Sequence, residues 1–194
     1  MTPRQIRIVD VFTERALAGN QLAVVLDGRD LPADLMQRIA REMNFSETTF
    51  VLPPENPAHS ARVRIFTPGA ELRFAGHPTI GTAWVLIDEG LAAGDGVILE
   101  EGIGPVKVRS VKESGQTMLW MTFPDMSFGQ VYPHARVAAA IGLQESAIVG
   151  DAPAQIATSG TPFLFVALRD PRTVDAAVPE LARLKKLLRD QAVG

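Results

Sequence analysis

The sequence predicts an α+β fold in which many antiparallel strands surround one buried helix. Two observations carry that prediction. Up to Phe123, short runs rich in β-branched and aromatic residues recur between Gly, Pro and Asn breaks, which is the signature of strands and turns. Among them lies one stretch, Pro78 to Glu89, in which Ile80, Ala83, Trp84, Val85, Leu86 and Ile87 point in every direction around a helix axis. A helix apolar all round, yet too short for a bilayer, is one wrapped by protein on all sides.

The 194 residues, 46% of them hydrophobic, suffice for one large domain or two small ones. A net charge of -3 with no run of Lys or Arg speaks against nucleic acid and membrane surfaces as partners. Small molecules, or a second copy of the chain, remain. The absence of cysteine excludes disulfides, thiolate metal sites and cysteine nucleophiles or bases. Met1-Thr-Pro-Arg-Gln-Ile has no apolar signal core, and the expected location is soluble and cytoplasmic.

The elements follow in order. Ile6–Phe12 and Gln21–Leu26 read as strands broken by Ala18-Gly-Asn20, and Asp27-Gly28 turns the chain. From Leu31 to Met43, Leu35, Met36, Ile39, Ala40 and Met43 fall at helical spacing, predicting an amphipathic helix. Thr48–Leu52 is a strand, and three prolines make Pro53–His59 a surface loop. Arg62–Phe66 alternates charged and apolar side chains, the pattern of a half-buried strand, and Glu71–Phe74 is a short one. The buried helix then starts with Pro78 in its first position and stops at Gly90, placed for a left-handed cap. Val97–Glu101 and Val106–Ser110 form a hairpin around Gly102-Ile-Gly104, and Thr117–Phe123 adds a strand. That glycine pair is a tight turn and no dinucleotide fingerprint, because no third glycine and no helix follow.

Residues 124–133, with two prolines and no periodicity, read as a linker between a first domain (1–123, central helix 78–89) and a partial second one (134–194). After a short helix near His134–Ile141, the earlier order returns: a strand within Ile148–Thr158, a break at Ser159-Gly160-Thr161, the apolar strand Pro162–Leu168, a polar Arg169–Arg172 turn, and the amphipathic helix Val178–Leu188. The repeat has no counterpart of the buried helix. Its strands are therefore expected to be poorly ordered or to be covered by another chain.

Four motifs carry a family resemblance: Ile8-Val-Asp-Val-Phe12, Gly19-Asn-Gln-Leu-Ala-Val-Val25, Asn44-Phe-Ser-Glu-Thr-Thr-Phe-Val51 and Phe74-Ala-Gly-His-Pro-Thr-Ile-Gly81. In this order they resemble the PhzF-type phenazine biosynthesis isomerases, relatives of diaminopimelate epimerase. The resemblance implies two pseudo-symmetric domains, each a curled antiparallel sheet around a central helix, with the active site in the cleft between them. It also implies a homodimer, no cofactor and a small carboxylated substrate. Glu47 matches the family's catalytic acid/base and His77 the histidine that helps hold the substrate; Ser46, Gly76, Thr79 and Asn20 would be substrate contacts. The family's second-domain Asp-Pro-Ala-Thr-Gly-Ser run does not occur, so the chain reads as truncated in its second domain.

Position alone is less committal. Glu47 lies between a helix end and a strand, where a solvated carboxylate is the ordinary occupant, and His77 at a helix start serves equally well as a plain cap. Catalysis by Glu47 requires shielding by Phe45 and its surroundings, because desolvation raises a carboxyl toward the working pH. The helix dipole disfavours an imidazolium at position 77, and the free N–H groups from Gly76 to Thr79 suit a substrate carboxylate. Asn20 and Gln21, like Thr161 and Pro162 in the repeat, sit at strand breaks where turn chemistry explains them as well. His59 and His134 carry no expected role, and three scattered histidines predict no metal site. Arg183, Lys185, Lys186 and Arg189 are read as the wet face of the last helix. With Ala75 where a cysteine racemase would need its thiol, a proton shift by a single carboxyl is the expected chemistry. The alternative is a catalytically inactive fragment or assembly subunit.

Overall fold

The computed structural model describes residues 3–92, 96–113, 115–122, 125–158 and 162–189. The chain divides into two compact units, residues 1–124 and 125–194.

In unit 1, β1 (Ile6–Val11) pairs antiparallel with β2 (Asn20–Val25). The chain then crosses through α1 (Ala33–Met43) to β3 (Glu47–Leu52), which runs parallel to β2. β4 (Ala61–Phe66) returns antiparallel to β3, and the two-residue β5 (Glu71–Leu72) adds to the edge of β4. Next comes α2 (Gly76–Asp88), followed by β6 (Gly96–Glu101), parallel to β4. β7 (Gly104–Glu113) and β8 (Gln116–Thr122) complete the sheet as a meander. Its order is β1-β2-β3-β4-β6-β7-β8. Most pairs are antiparallel as expected, while β2–β3 and β4–β6 are parallel. In both places a helix lies in the connection and brings the chain back in the direction it left.

α2 touches β1, β2, β3, β6 and β8. One helix can meet both ends of so long a sheet only if the sheet curls around it. The enclosed core joins Val11, Leu22, Val24, Val63, Ile65, Leu99 and Val108 to Ala83, Val85 and Leu86 of the helix. The enclosure is incomplete: Trp84, expected to be buried, is 46% exposed. Two features hold the helix close. A Cβ on Gly81 would lie 2.6 Å from Leu22 Cδ2 and 2.8 Å from Val11 Cγ2, and the Thr49 and Thr82 hydroxyls share a buried 2.8 Å hydrogen bond. On the opposite face of the sheet α1 packs Met36 and Ala40 against Val25, Phe50 and Phe66. The Phe50 and Phe66 rings meet edge to face, 5.5 Å between centroids.

The ends of α2 differ from expectation at one side. The helix starts at Gly76, which puts Pro78 in its third position and not its first. Proline is tolerated there for the same reason, since the first-turn N–H groups have no partner within the helix. The other end is as read: Gly90 has φ +66°, with Gly90 N–H on the Ile87 carbonyl (3.1 Å) and Leu91 N–H on the Leu86 carbonyl (2.8 Å). Those two bonds make a Schellman cap.

Unit 2 contains β9 (Ser127–Tyr132), α3 (His134–Ala140), β10 (Ala154–Thr158), β11 (Pro162–Phe165), α4 (Pro171–Asp175) and α5 (Leu181–Arg189). Its sheet order is β11-β10-β9, all antiparallel. Residues 127–132, read as linker, are thus a strand. Pro133 lies just beyond the strand's end and leaves its ladder intact, while Tyr132 is buried in the unit's core with Val137, Ala138, Ala140, Ile148, Ala154 and Leu187. The polar turn at 169–172 starts the short α4: the Asp170 carboxylate accepts the Thr173 N–H (2.9 Å), and Pro171 opens the helix. Arg183 does more than face water. It donates to the Ala139 carbonyl (3.0 Å) and so ties α5 to α3. The expected break at Ser159–Thr161, the linker's first residue Pro124 and the last five residues lie outside the described residues. No helix among the described residues is long and apolar enough to cross a membrane.

The close approach at Gly81 gives a direct test. Gly81→Ala adds the better helix former, yet its methyl collides with two buried side chains, so it should destabilise the fold by about 1–3 kcal/mol. A urea midpoint equal to or above that of the wild type would contradict the enclosed packing of α2.

Candidate active site

Parallel pairing sets the starts of β2 and β3 side by side, with Leu22 opposite Glu47. Asn20 and Ser46, far apart in sequence, therefore meet: Ser46 Oγ donates to Asn20 Oδ1 at 3.2 Å. The Asn20 amide nitrogen lies 3.1 Å from His77 Nδ1. Because an amide NH₂ can only donate, Nδ1 is the acceptor in this orientation, and the remaining ring proton of a neutral imidazole belongs to Nε2. His77 Nε2 in turn approaches Glu47 Oε2 to 3.3 Å. Both atoms are sealed from solvent, and their approach lacks the alignment of a hydrogen bond. Four residues from β2, the β3 junction and α2 thus form one chain: Ser46, Asn20, His77, Glu47.

Electrostatics drive both members of the closing pair toward their neutral forms. Burial raises the Glu47 carboxyl above its ordinary 4.5. Burial lowers the His77 imidazole below its ordinary 6.5, with the Gln21 backbone opposing more weakly. The side chains are 16% and 9% exposed, so the carboxyl is shielded as a proton-transfer group requires. Burial thus disfavours the charged form of both groups, and with it an ion pair.

The other expected contacts are distributed unequally. Gly76 is the first residue of α2, and its N–H and that of His77 fall outside the helix's own ladder. The expected row of donors is shorter than four groups, since Pro78 has no N–H and the Thr79 N–H bonds to the Ala75 carbonyl (3.2 Å). The Thr79 side chain is fully buried, donating toward Ala75 O (2.8 Å) and meeting Glu101 Oε1 (2.7 Å). His59 is held by Glu100 (2.8 Å), which also accepts the Glu55 and Asn56 N–H groups and pins the proline loop. His134 contacts the Ala152 carbonyl (3.1 Å).

Glu101 escapes a reading by motifs. Its carboxyl is pushed up to about 7, first by burial, with the Thr79 hydrogen bond opposing. One signal in the sequence could have found it: Val97, Leu99 and Glu101 recur at the strand period, so the acid occupies an inward position of β6.

The raised Glu47 carboxyl has a consequence for stability. A carboxyl raised on folding stabilises the native state fully below its unfolded value and loses that contribution as pH rises through the folded value. Glu47→Gln, permanently neutral, should therefore match wild type near pH 4 and exceed it in urea midpoint near about pH 8. A midpoint below that of the wild type at the higher pH would show that the ionised carboxylate is well solvated.

Comparison with known proteins bears on the family of the chain. The model of the phenazine biosynthesis-like protein family, PhzC-PhzF, matches residues 9–194. The trans-2,3-dihydro-3-hydroxyanthranilate isomerase of Pseudomonas aeruginosa is 37% identical over 174 residues, covering 89% of this chain and 60% of that enzyme. A Bacillus anthracis phenazine biosynthesis protein of the PhzF family superposes with a TM-score of 0.83 at 28% identity, over 95% of this chain and 62% of that one. The fold extends to a hydroxyproline epimerase of Agrobacterium vitis, with a TM-score of 0.53 at 15% identity over 81% of this chain and 50% of that one. The chain thus spans about 60% of the length of these PhzF relatives. With the family model running from β1 through every described element, the chain belongs to the phenazine biosynthesis-like PhzC-PhzF family.

Proposed function

We propose that the chain acts as a PhzF-type isomerase, without a cofactor, on a small carboxylated substrate of the dihydro-hydroxyanthranilate kind. The observation that carries this reading is the desolvated Glu47 carboxyl beside neutral His77, held in place through Asn20 and Ser46. In the proposed step, ionised Glu47 takes a proton from an activated carbon. The C–H electron pair moves into the conjugated system, and the now neutral acid returns the proton to another carbon of that system. A carboxyl raised toward the working pH suits both halves of this exchange. His77 Nε2–H orients the substrate or steadies the carboxylate, and the Gly76 and His77 N–H groups at the positive end of α2 bind the substrate carboxylate.

A second reading is favoured by unit 2, whose sheet exposes Phe128, Phe163 and Phe165 at 68%, 60% and 53%. In it the chain is a subunit, catalytically inactive alone, that a second copy or another chain completes.

The test is proton exchange. With trans-2,3-dihydro-3-hydroxyanthranilate in heavy water, the wild type should incorporate deuterium into recovered substrate or product. Glu47→Gln should lower that rate by roughly 10²–10⁴-fold, the usual worth of a general acid/base. An undiminished rate in Glu47→Gln removes Glu47 from the mechanism. No incorporation by a wild-type monomer, with incorporation once an added chain completes the assembly, favours the subunit reading.

A further inference from the structure

Glu101 is the buried titratable group that the Glu47–His77 pair leaves unused. It is 8% exposed and points inward from β6. Thr79 Oγ1 lies 2.7 Å from Glu101 Oε1 and 2.8 Å from the carbonyl oxygen of Ala75, the N-cap of α2. A hydroxyl carries one hydrogen and cannot donate in both directions. With Glu101 ionised, both neighbours of the hydroxyl are acceptors, and one contact has no proton. The charge would also spread to Glu101 Oε2, which is buried with no partner. With Glu101 protonated, its O–H donates to Thr79 and Thr79 donates to Ala75, so both short contacts become hydrogen bonds of one chain.

We propose that Glu101 is a positioning residue: its protonated carboxyl, acting through Thr79, holds the Ala75 carbonyl and so fixes the first turn of α2 that carries His77. The Ala75 carbonyl also receives the Thr79 N–H, so it organises the whole turn. Loss of the Glu101 proton draws the Thr79 hydrogen to the carboxylate, leaves Ala75 with its backbone donor alone, and loosens the turn next to the Asn20–His77–Glu47 chain. The consequence for catalysis rests on the isomerase reading; the hydrogen-bond chain does not.

Among the described residues, none of the charged groups around Glu101 bonds to it. It lines a cavity of about 870 Å³ where β4 parts from β6, together with Arg62, Arg64, Arg73, His59, Glu55, Glu71 and Glu100. Arg62 bonds to Glu55, Arg64 to Glu71 through both oxygens, Arg73 to the Gly102 carbonyl, and His59 to Glu100. From α2 it meets Thr79, and β7 presents the buried apolar Val106 and Val108.

The experiment follows the ring resonances of His77 by NMR across about pH 5 to 9, assigned by their loss in His77→Asn. Every protein compared, the reference that is wild type at Glu101 and Thr79 included, carries Glu47→Gln, so that ionisation of the adjacent Glu47 carboxyl does not contribute. In the reference the ring should titrate below its ordinary value and show a second inflection near pH 7, where Glu101 changes charge. Glu101→Gln keeps a donor toward Thr79 and should abolish the second inflection, leaving the ring at its low-pH position. Thr79→Val should abolish it as well, and Thr79→Ser should restore it. A second inflection that survives in Glu101→Gln or in Thr79→Val overturns the proposal, as does its absence from the reference. The infrared carbonyl band of a protonated carboxylic acid at pH 6, lost in Glu101→Gln, is the supporting measurement; no such band in the reference also overturns it. Neither readout uses a substrate, so failure of the isomerase reading and failure of this one are separable.

Discussion

The enclosure of α2 by one curled sheet is the constraint on which the rest of unit 1 depends. A sheet can close on a helix only where the helix surface is smooth enough to be approached, and Gly81 supplies that place against Val11 and Leu22. Glycine within a helix ordinarily costs about 1 kcal/mol of propensity relative to alanine; here the cost is offset by contact with β1 and β2. The Thr49–Thr82 bond then fixes the rotation of the helix about its axis, since two buried hydroxyls must find each other. Rotation and depth together decide where His77, at the start of the helix, arrives relative to Glu47, at the start of β3.

That arrival has an electrostatic price, because the pair sits where water is scarce. An exposed Glu–His contact would be an ion pair worth little. In the shielded setting of unit 1 both groups shift toward neutrality, the acid by a raised and the imidazole by a lowered affinity for protons. The difference matters for chemistry. A permanently ionised carboxylate locked to an imidazolium is a poor proton carrier, whereas a carboxyl close to neutrality can hold a proton and release it. Asn20 contributes by occupying Nδ1, which leaves Nε2 as the ring atom facing the acid.

Much of this was legible in the sequence. Strand and helix periodicity placed every element of unit 1 within a few residues, and Gly90 marked the end of α2. The Glu47 and His77 pairing came from the family motifs and from neither residue's position. What stayed illegible is what depends on connections through space. No local pattern tells that β2 and β3 run parallel, yet that pairing brings Asn20 to Ser46. Nothing local to Thr79 shows its buried partner, and only the inward parity of Glu101 points to it. β9 is not legible because Ser127-Phe-Gly-Gln-Val-Tyr has weak alternation and the flanking Pro124 and Pro133 suggest a linker, while its order comes from pairing with β10.

The two units differ in how their sheets are covered. In unit 1 the sheet is dressed on both faces, by α1 on one side and α2 on the other. In unit 2, α3 and α5 cover one face through Val137, Ala138, Ala140 and Leu187. Phe163 and Phe165 alternate with the inward Leu164 along β11, so they belong to the opposite face together, and Phe128 of β9 is exposed as well. Aromatic side chains gathered on one exposed sheet face are the condition that a second apolar layer relieves. Unit 1 thus carries a self-sufficient core and a preorganised acid–imidazole pair. Unit 2 carries a core on one face and an unsatisfied surface on the other, and its hydrophobic balance improves with whatever supplies the second layer.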